Sequence, residues 1–276
     1  NLSTPILPDI HSESLLNVMQ KFSHITTRIR DLGNNNYCIS SMWHETGACE
    51  DRTIAEFPLK QTKSPILFKK LILNGPHIHT GNPLFKTPNN PCKSKGDWVP
   101  VDLNIISDDF IPRCKYHQQC DDQTFADRQT KCSWDNQSFS NHWKLSYRSL
   151  VSIDGERSLQ CAIYPPGVSH INNIDSIVIK DKSQLPTLTG LFSSLPEDAY
   201  LKLLAKPKLH VSIIESLPIS DYGIRNSAVR IRALALNCLT KTYSSFWEEN
   251  FSEKFQRDSW TQQHVGIQKD FFSRLT

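Results

Sequence analysis

The residue types that could hold a metal or move a proton lie mostly in the first half of the chain. Cys114, His117 and Cys120 follow one another at three-residue steps, with Cys132 further on. Thiolate and imidazole are the ligands of structural zinc, so these four residues are a weak zinc candidate; the spacing is not that of a paired-cysteine knuckle. His77 and His79 would share one face of an extended segment, but no carboxylate or cysteine beside them completes a ligand set. Two histidines of a polar loop is the simpler reading. His44 and Glu45 are an acid/base pair in form, placed at a strand end where such pairs are more often structural. The chain has no G-x-x-x-x-G-K-[ST], no G-x-S-x-G and no H-E-x-x-H, which argues against the chemistries those motifs serve. No catalytic residue is assigned.

Charge points elsewhere. The net charge is only +3, yet seven lysines (60, 63, 69, 70, 86, 93 and 95) occur from Lys60 to Lys95 without one acid. From Asp97 to Asp122, six aspartates face only Arg113 and Lys115. An acid-free basic block attracts polyanions; the plainer alternative is a solvated lysine-rich face. At 276 residues, 38% hydrophobic and 21% charged, the chain is long enough for one large domain or two modest ones. The eight cysteines are scattered, unlike a secreted disulfide scaffold, so a reducing cytoplasm is expected. No apolar run approaches a membrane span, no signal peptide opens the chain, and the first residue, Asn1, leads us to expect a piece of something longer.

The elements that would position these residues follow from periodicity. Residues 12–32 repeat apolar side chains at three- and four-residue steps, with Ser12 as N-cap and Gly33 as C-cap, and predict a helix. Strands are predicted at 37–43, 65–73, 99–106 and 174–179. A structured loop rich in Gly, Pro and Asn covers 74–88, with Lys86 at its tip. Residues 118–140 read as a polar excursion or boundary. Leu159, Cys161 and Ile163 alternate with polar or small neighbours, as in a half-buried strand, which Pro165-Pro166-Gly167 stops. The loop from Pro165 to Asn173 then presents Ser169, His170, Asn172 and Asn173, an expected recognition surface. Helices are predicted at 185–204, broken at Pro196, and at 227–251, followed by an aromatic tail with Trp260, Phe271 and Phe272. The fold class is α+β, a mixed sheet with flanking helices. It is expected as two lobes: 1–140, helix plus strands with the basic loop region, and 141–276, a specificity lobe with a C-terminal helix and tail.

Asn82-Pro83-Leu84-Phe85 approaches the Asn-Pro-Pro-Tyr motif with which amino-methyltransferases hold an extruded adenine. Leu84 replaces the second proline, and no glycine-rich cofactor turn precedes it, so a methyltransferase active site in this chain is rejected. A different likeness extends further. Tyr147-Arg148, the segment from Gly155 to Leu159, Ala162-Ile163, Pro165-Pro166-Gly167-Val168 and His170-Ile171-Asn172 resemble the TaqI-like C-terminal specificity domain of N-6 adenine DNA methyltransferases. LTGLFSSL (188–195), Ser216-Leu217-Pro218-Ile219 and, upstream, GPHIHTGNPLFKTP and DDFIPRCKY continue the pattern, as does RALALNCLTKTYSSFWEENF after it. Cys114, Lys115 and His117 depart from the Thr, Asn and apolar residue expected after Pro-Arg, and Ala205 replaces an expected glycine.

The resemblance implies a target recognition module of a restriction–modification methyltransferase. Such a module binds double-stranded DNA and is non-catalytic alone. Its partner is a catalytic methyltransferase domain in the same longer polypeptide, which uses S-adenosylmethionine; this chain itself needs no cofactor. The candidate DNA contacts are Lys69, Lys70, Lys86, Lys206 and Lys208 for phosphates, Lys115 as a further DNA contact, and Arg113, Arg148, Arg157, His170 and Asn172 for base edges, since Arg forks onto guanine and Asn onto adenine. Arg157, beside Asp154 and Glu156, reads as structural. Two other functions stay open: an interaction domain that clamps a nuclease or translocase subunit through the aromatic tail, and a small zinc enzyme.

Overall fold

The computed structural model describes residues 12–151, 155–204, 206–219, 226–258 and 268–275. Trp260 and Asp154 lie outside them. Helix α1 (Glu13–His24) begins at Ser12, whose hydroxyl accepts the Leu15 N–H at 3.2 Å as an N-cap should. It stops well short of the expected 32. Ile25, Thr26 and Thr27 are β-branched and poor helix formers, and only a 3-10 turn, Ile29–Leu32, follows. Strand β1 (Tyr37–Ser40) ends early because Met42 adopts a left-handed φ of 49°, and Trp43 bridges Ile171 instead. His44 caps helix α2 (Glu45–Glu50), its Nδ1 accepting the Gly47 N–H. This is a structural role for that histidine.

Short elements come next: β2 (Ile54–Glu56), β3 (Ile72–Leu73), β4 (Lys86–Pro88), β5 (Trp98–Pro100), β6 (Tyr116–Gln118) and helix α3 (Asp122–Asp127). The strands expected at 65–73 and 99–106 are thus cut to two and three residues. A 3-10 turn at Phe68–Lys70 takes up the first, and Pro100 closes the second. The stretch 118–140 is no excursion. Phe125, Cys132 and Phe139 are buried, and the polar residues around them are caps and turn formers, such as Asp121 accepting the Thr124 N–H at 2.9 Å.

The remaining elements are β7 (Lys144–Arg148), β8 (Cys161–Tyr164), β9 (Ser169–His170), β10 (Ile174–Ile179), α4 (Leu185–Phe192), α5 (Leu195–Leu204), α6 (Val211–Glu215), α7 (Asn226–Asn237), α8 (Ser244–Asn250) and α9 (Phe271–Leu275). The break between α4 and α5 falls at Ser193-Ser194, so Pro196 occupies the first turn of α5, where its missing N–H costs nothing. The long helix expected at 227–251 divides after Asn237, which turns back to accept the Ile163 N–H at 2.8 Å.

The main sheet is antiparallel with order β1-β10-β7-β8. It draws strands from both sides of residue 140. β8 is buried on both faces, correcting the half-buried expectation. Its outer edge is closed by side chains: Asn237 receives the Ile163 N–H, and the Tyr243 hydroxyl donates to the Ile163 carbonyl at 2.9 Å. With the Gly81 N–H on the Cys161 carbonyl at 2.8 Å, these bonds occupy edge groups of β8 that another strand would otherwise use. Helices α4 and α7 approach closely at Gly190, where an added Cβ would sit 2.3 Å from Val229 Cγ1. The aromatic tail docks in part, Phe271 lying edge-on to Trp247 at 6.3 Å between centroids. Three two-stranded ribbons surround the sheet: β2 with β6, β4 with β5, and parallel β3 with β9. No helix among the described residues is long and apolar enough to cross a membrane.

Candidate nucleic-acid interface

The ribbon of β4 and β5, the 3-10 turn Gly75–His77 and the end of β7 meet around one open cleft of about 460 Å³. Four cations line it, Lys86, Lys95, Lys115 and Arg148, against one carboxylate, Glu45. Asn74, Gly75 and Asn173 supply polar floor, and Phe85 and Trp98 supply aromatic wall. A second depression of about 290 Å³ shares Lys95, Trp98 and Lys115 with it and adds Lys60 and Lys93.

Each group has a local reason for its place. The Asn74–His77 turn is pinned by His77, which is fully buried. Its Nε2 donates to the Arg113 carbonyl at 2.8 Å, which leaves Nδ1 to accept the Asn74 N–H at 2.9 Å. Burial pushes the His77 pKa down to about 4, so the ring is neutral. The Gly75 N–H donates to Asn173 Oδ1 at 3.0 Å, and a side chain at Gly75 would meet Arg148 Nε at 3.4 Å. Arg148 ends β7 and donates to Gln160 Oε1 at 2.7 Å; its burial lowers its pKa. Trp98 meets His77 edge-on at 4.7 Å. Lys86 lies 5.2 Å from the Phe85 ring centroid. Lys115 is 3.2 Å from Glu56, so part of its charge is already spent. Glu45 receives a short hydrogen bond from the Tyr116 hydroxyl, and its backbone N–H donates to Asn172 Oδ1.

Of the residues expected to touch DNA, the fold brings Lys86, Lys115 and Arg148 together in this cleft, with Asn172 at its margin. Lys206 and Lys208 are exposed nearby, since Lys208 bridges Leu150, itself a lining residue. The others fall elsewhere. Lys69 and Lys70 sit on the Phe68–Lys70 turn, with Lys70 paired to Asp122. Arg113 Nε donates to the Pro88 carbonyl at 2.7 Å, which makes it a clip for the β4 ribbon.

His170 is the main correction. The loop predicted to be exposed runs inward: Val168, Ser169, His170 and Ile171 are all buried, because β9 pairs with β3. His170 is fully buried and reaches no surface. Its Nδ1 faces the Ile171 carbonyl at 3.3 Å, so Nε2 accepts from Ser176 at 2.7 Å, and Ser176 in turn contacts Ser146 at 2.7 Å. Burial holds its pKa down to about 3.

Both histidines have folded-state pKa values below the free value of 6.5. As pH falls below 6.5 the unfolded chain takes up protons the folded chain refuses, so stability falls with acidification. The window closes near pH 4 for His77 and near pH 3 for His170. Each contributes about 1.4 kcal/mol per pH unit inside its window. Urea titrations at stepped pH should show this slope, and His170→Ala should remove one of the two contributions; an unchanged slope would contradict the buried neutral ring.

Of the four zinc candidates Cys132 lies apart, and Cys114, His117 and Cys120, which border one depression, are each engaged with main-chain carbonyls. The Cys114 thiol donates to the Tyr116 carbonyl at 3.1 Å, with burial raising its pKa to about 11. His117 Nδ1 pairs with the Gln118 carbonyl, Cys120 Sγ donates to the Thr53 carbonyl at 3.7 Å, and Cys132 lies in a separate apolar cluster. Among the described residues no group of three or more His, Cys, Asp or Glu is placed to hold a metal. Arg157 is structural, 3.5 Å from Asp198 and donating to the Ser193 carbonyl at 2.7 Å.

The sequence marks Lys95 only as one of the seven lysines of the block and gives Trp98 no role. The cue was the acid-free block itself, followed by Ser94-Lys95-Gly96-Asp97, a turn that ends in an aromatic. No family model matches the chain, and no curated protein matches it.

Proposed function

We propose that this chain is a duplex-DNA recognition module, the specificity part of an adenine N-6 DNA methyltransferase of restriction–modification type. The observation that carries this reading is the convergence of Lys86, Lys95, Lys115 and Arg148 on one cleft with Trp98 and Phe85 in its walls. Cations set the register on phosphates. Asn74, Asn173 and Glu45 on the floor have the donor and acceptor types that read base edges, Asn toward adenine and Glu toward the cytosine amine. The cleft is the size of a small-molecule site, so it takes a short stretch of one strand's backbone; Lys60 and Lys93 extend the path past Trp98, and Lys206 and Lys208 extend it past Leu150. The methyl transfer, with S-adenosylmethionine, belongs to a separate catalytic domain of the same longer polypeptide.

Anisotropy titration of a labelled duplex tests the reading. Four neutralised phosphates give a slope of log affinity against log salt of about −3.6, or roughly 150-fold weaker binding on a fourfold rise in salt. Binding indifferent to salt, or none to any duplex, would sink it.

A further inference from the structure

Two cysteines outside the cleft are brought into one apolar cluster. Along β1, Tyr37 and Ile39 enter the main core, so Cys38 points to the opposite side of the sheet. There it joins a small apolar cluster with Cys132, Phe139 and Val178, Val178 being its register partner on β10. The segment carrying Cys132 is tied across β1 at both ends. Ser40 Oγ lies 3.3 Å from Thr130 Oγ1, and Ser133 Oγ donates to the Asn34 carbonyl at 3.2 Å. Between these ties Cys38 and Cys132 pack in the same apolar cluster on this side of the sheet. Both are reduced. Cys132 is fully buried, whereas Cys38 is partly exposed. Cys114, Cys120 and Cys161 have carbonyl or hydroxyl partners instead.

We propose that Cys38 and Cys132 are a dithiol modification site that forms a reversible disulfide by exchange with a low-molecular-weight disulfide. The Cys38 thiolate attacks one sulfur of the small disulfide, the S–S bond of the reagent breaks, and one small thiolate leaves with a proton from solvent. Cys132, deprotonated, then attacks Cys38 Sγ in the mixed disulfide, and the second small thiolate leaves and is protonated. Two protein thiols are oxidised and one disulfide is reduced to two thiols. The order of attack follows from the structure. Cys38 is the thiol a reagent can reach, and the neighbouring Cys132 thiol lowers its pKa against the opposing effect of burial; Cys132 is placed to resolve. The neighbouring Cys38 thiol and burial raise the Cys132 pKa, with the buried Lys144 the one opposing influence, so Cys132 gives up its proton only once Cys38 is in the mixed disulfide. The product staples edge strand β1 to the turn that follows α3.

The test uses the full reduced chain equilibrated with glutathione disulfide without oxygen, blocked with N-ethylmaleimide and mapped by non-reducing peptide mass spectrometry. The thiol count should fall by two, with the Cys38 and Cys132 peptides linked. Cys132→Ser should accumulate a glutathione adduct on Cys38, and Cys38→Ser should leave Cys132 unmodified. The oxidised wild-type chain should unfold at higher temperature than the reduced one. Both cysteines recovered alkylated after oxidation, or either linked to a different cysteine, would overturn the proposal.

Discussion

Replacing Arg148 and Lys86 with glutamine is expected to weaken binding of duplex DNA far more than removing cations that already have carboxylate partners. The two cations line the same cleft, and among the described residues neither has a carboxylate within ion-pair distance. Their charge is therefore available to a phosphate. Lys115 is shared with Glu56, and Lys70 is paired with Asp122, so their removal costs less. A charge-assisted hydrogen bond is worth on the order of 1.5–3 kcal/mol, so each substitution should raise Kd by roughly 10- to 150-fold. The salt slope should become shallower by about 0.9 for each phosphate that is no longer neutralised. Lys70→Gln is the control and should leave both quantities within twofold. An equal loss in the control would mean that the protein is attracted to DNA by its overall basic surface.

A second large effect is expected from Gly167→Ala, here on stability. Gly167 has a φ of +91°, and its missing side chain faces the Lys69 main chain: an added Cβ would lie 2.8 Å from the Lys69 carbonyl oxygen and 2.3 Å from Lys69 Cβ. The Gly167 N–H also donates to the Ser140 carbonyl at 2.7 Å, so three segments are fixed against one another there. Left-handed strain and overpacking against main chain each cost about 1–3 kcal/mol, giving on the order of 2–6 kcal/mol lost in urea unfolding. Gly96→Ala, at an exposed glycine of ordinary φ, should change little. A near-neutral Gly167→Ala would mean that the turn after β8 can move away from Lys69.

Strands and helices with strong internal patterns were legible. IDSIVI forms the inner strand β10, Ser12 caps α1, and the α+β class holds. What misled was the assumption that a polar loop after a double proline must face water. Ser169 and His170 are buried because β3, a two-residue strand nearly a hundred positions earlier, pairs with them; a contact of that range leaves no local trace. The same applies to 118–140, whose hydrophilic composition hides three apolar anchors. Part of the candidate cleft is legible as well: Lys86, Lys115 and Arg148 are expected DNA contacts by residue type, and all three line it. What the sequence hid was which lysines of the block converge, because that depends on how the β4–β5 ribbon folds back over the Gly75–His77 turn. Lys69 and Lys70, in the same block, emerge on another face.

The proposed function requires DNA to bind in the cleft between the β4–β5 ribbon and the end of β7. Hydrogen exchange measured by mass spectrometry, with and without saturating duplex at low salt, tests this most directly. Slower exchange is predicted in peptides covering residues 74–77, 85–88, 95–98 and 148–150, with 165–170 unchanged. Protection confined to 165–170, or to the apolar groove where α1 packs near Tyr200 and Pro218, would contradict the assignment.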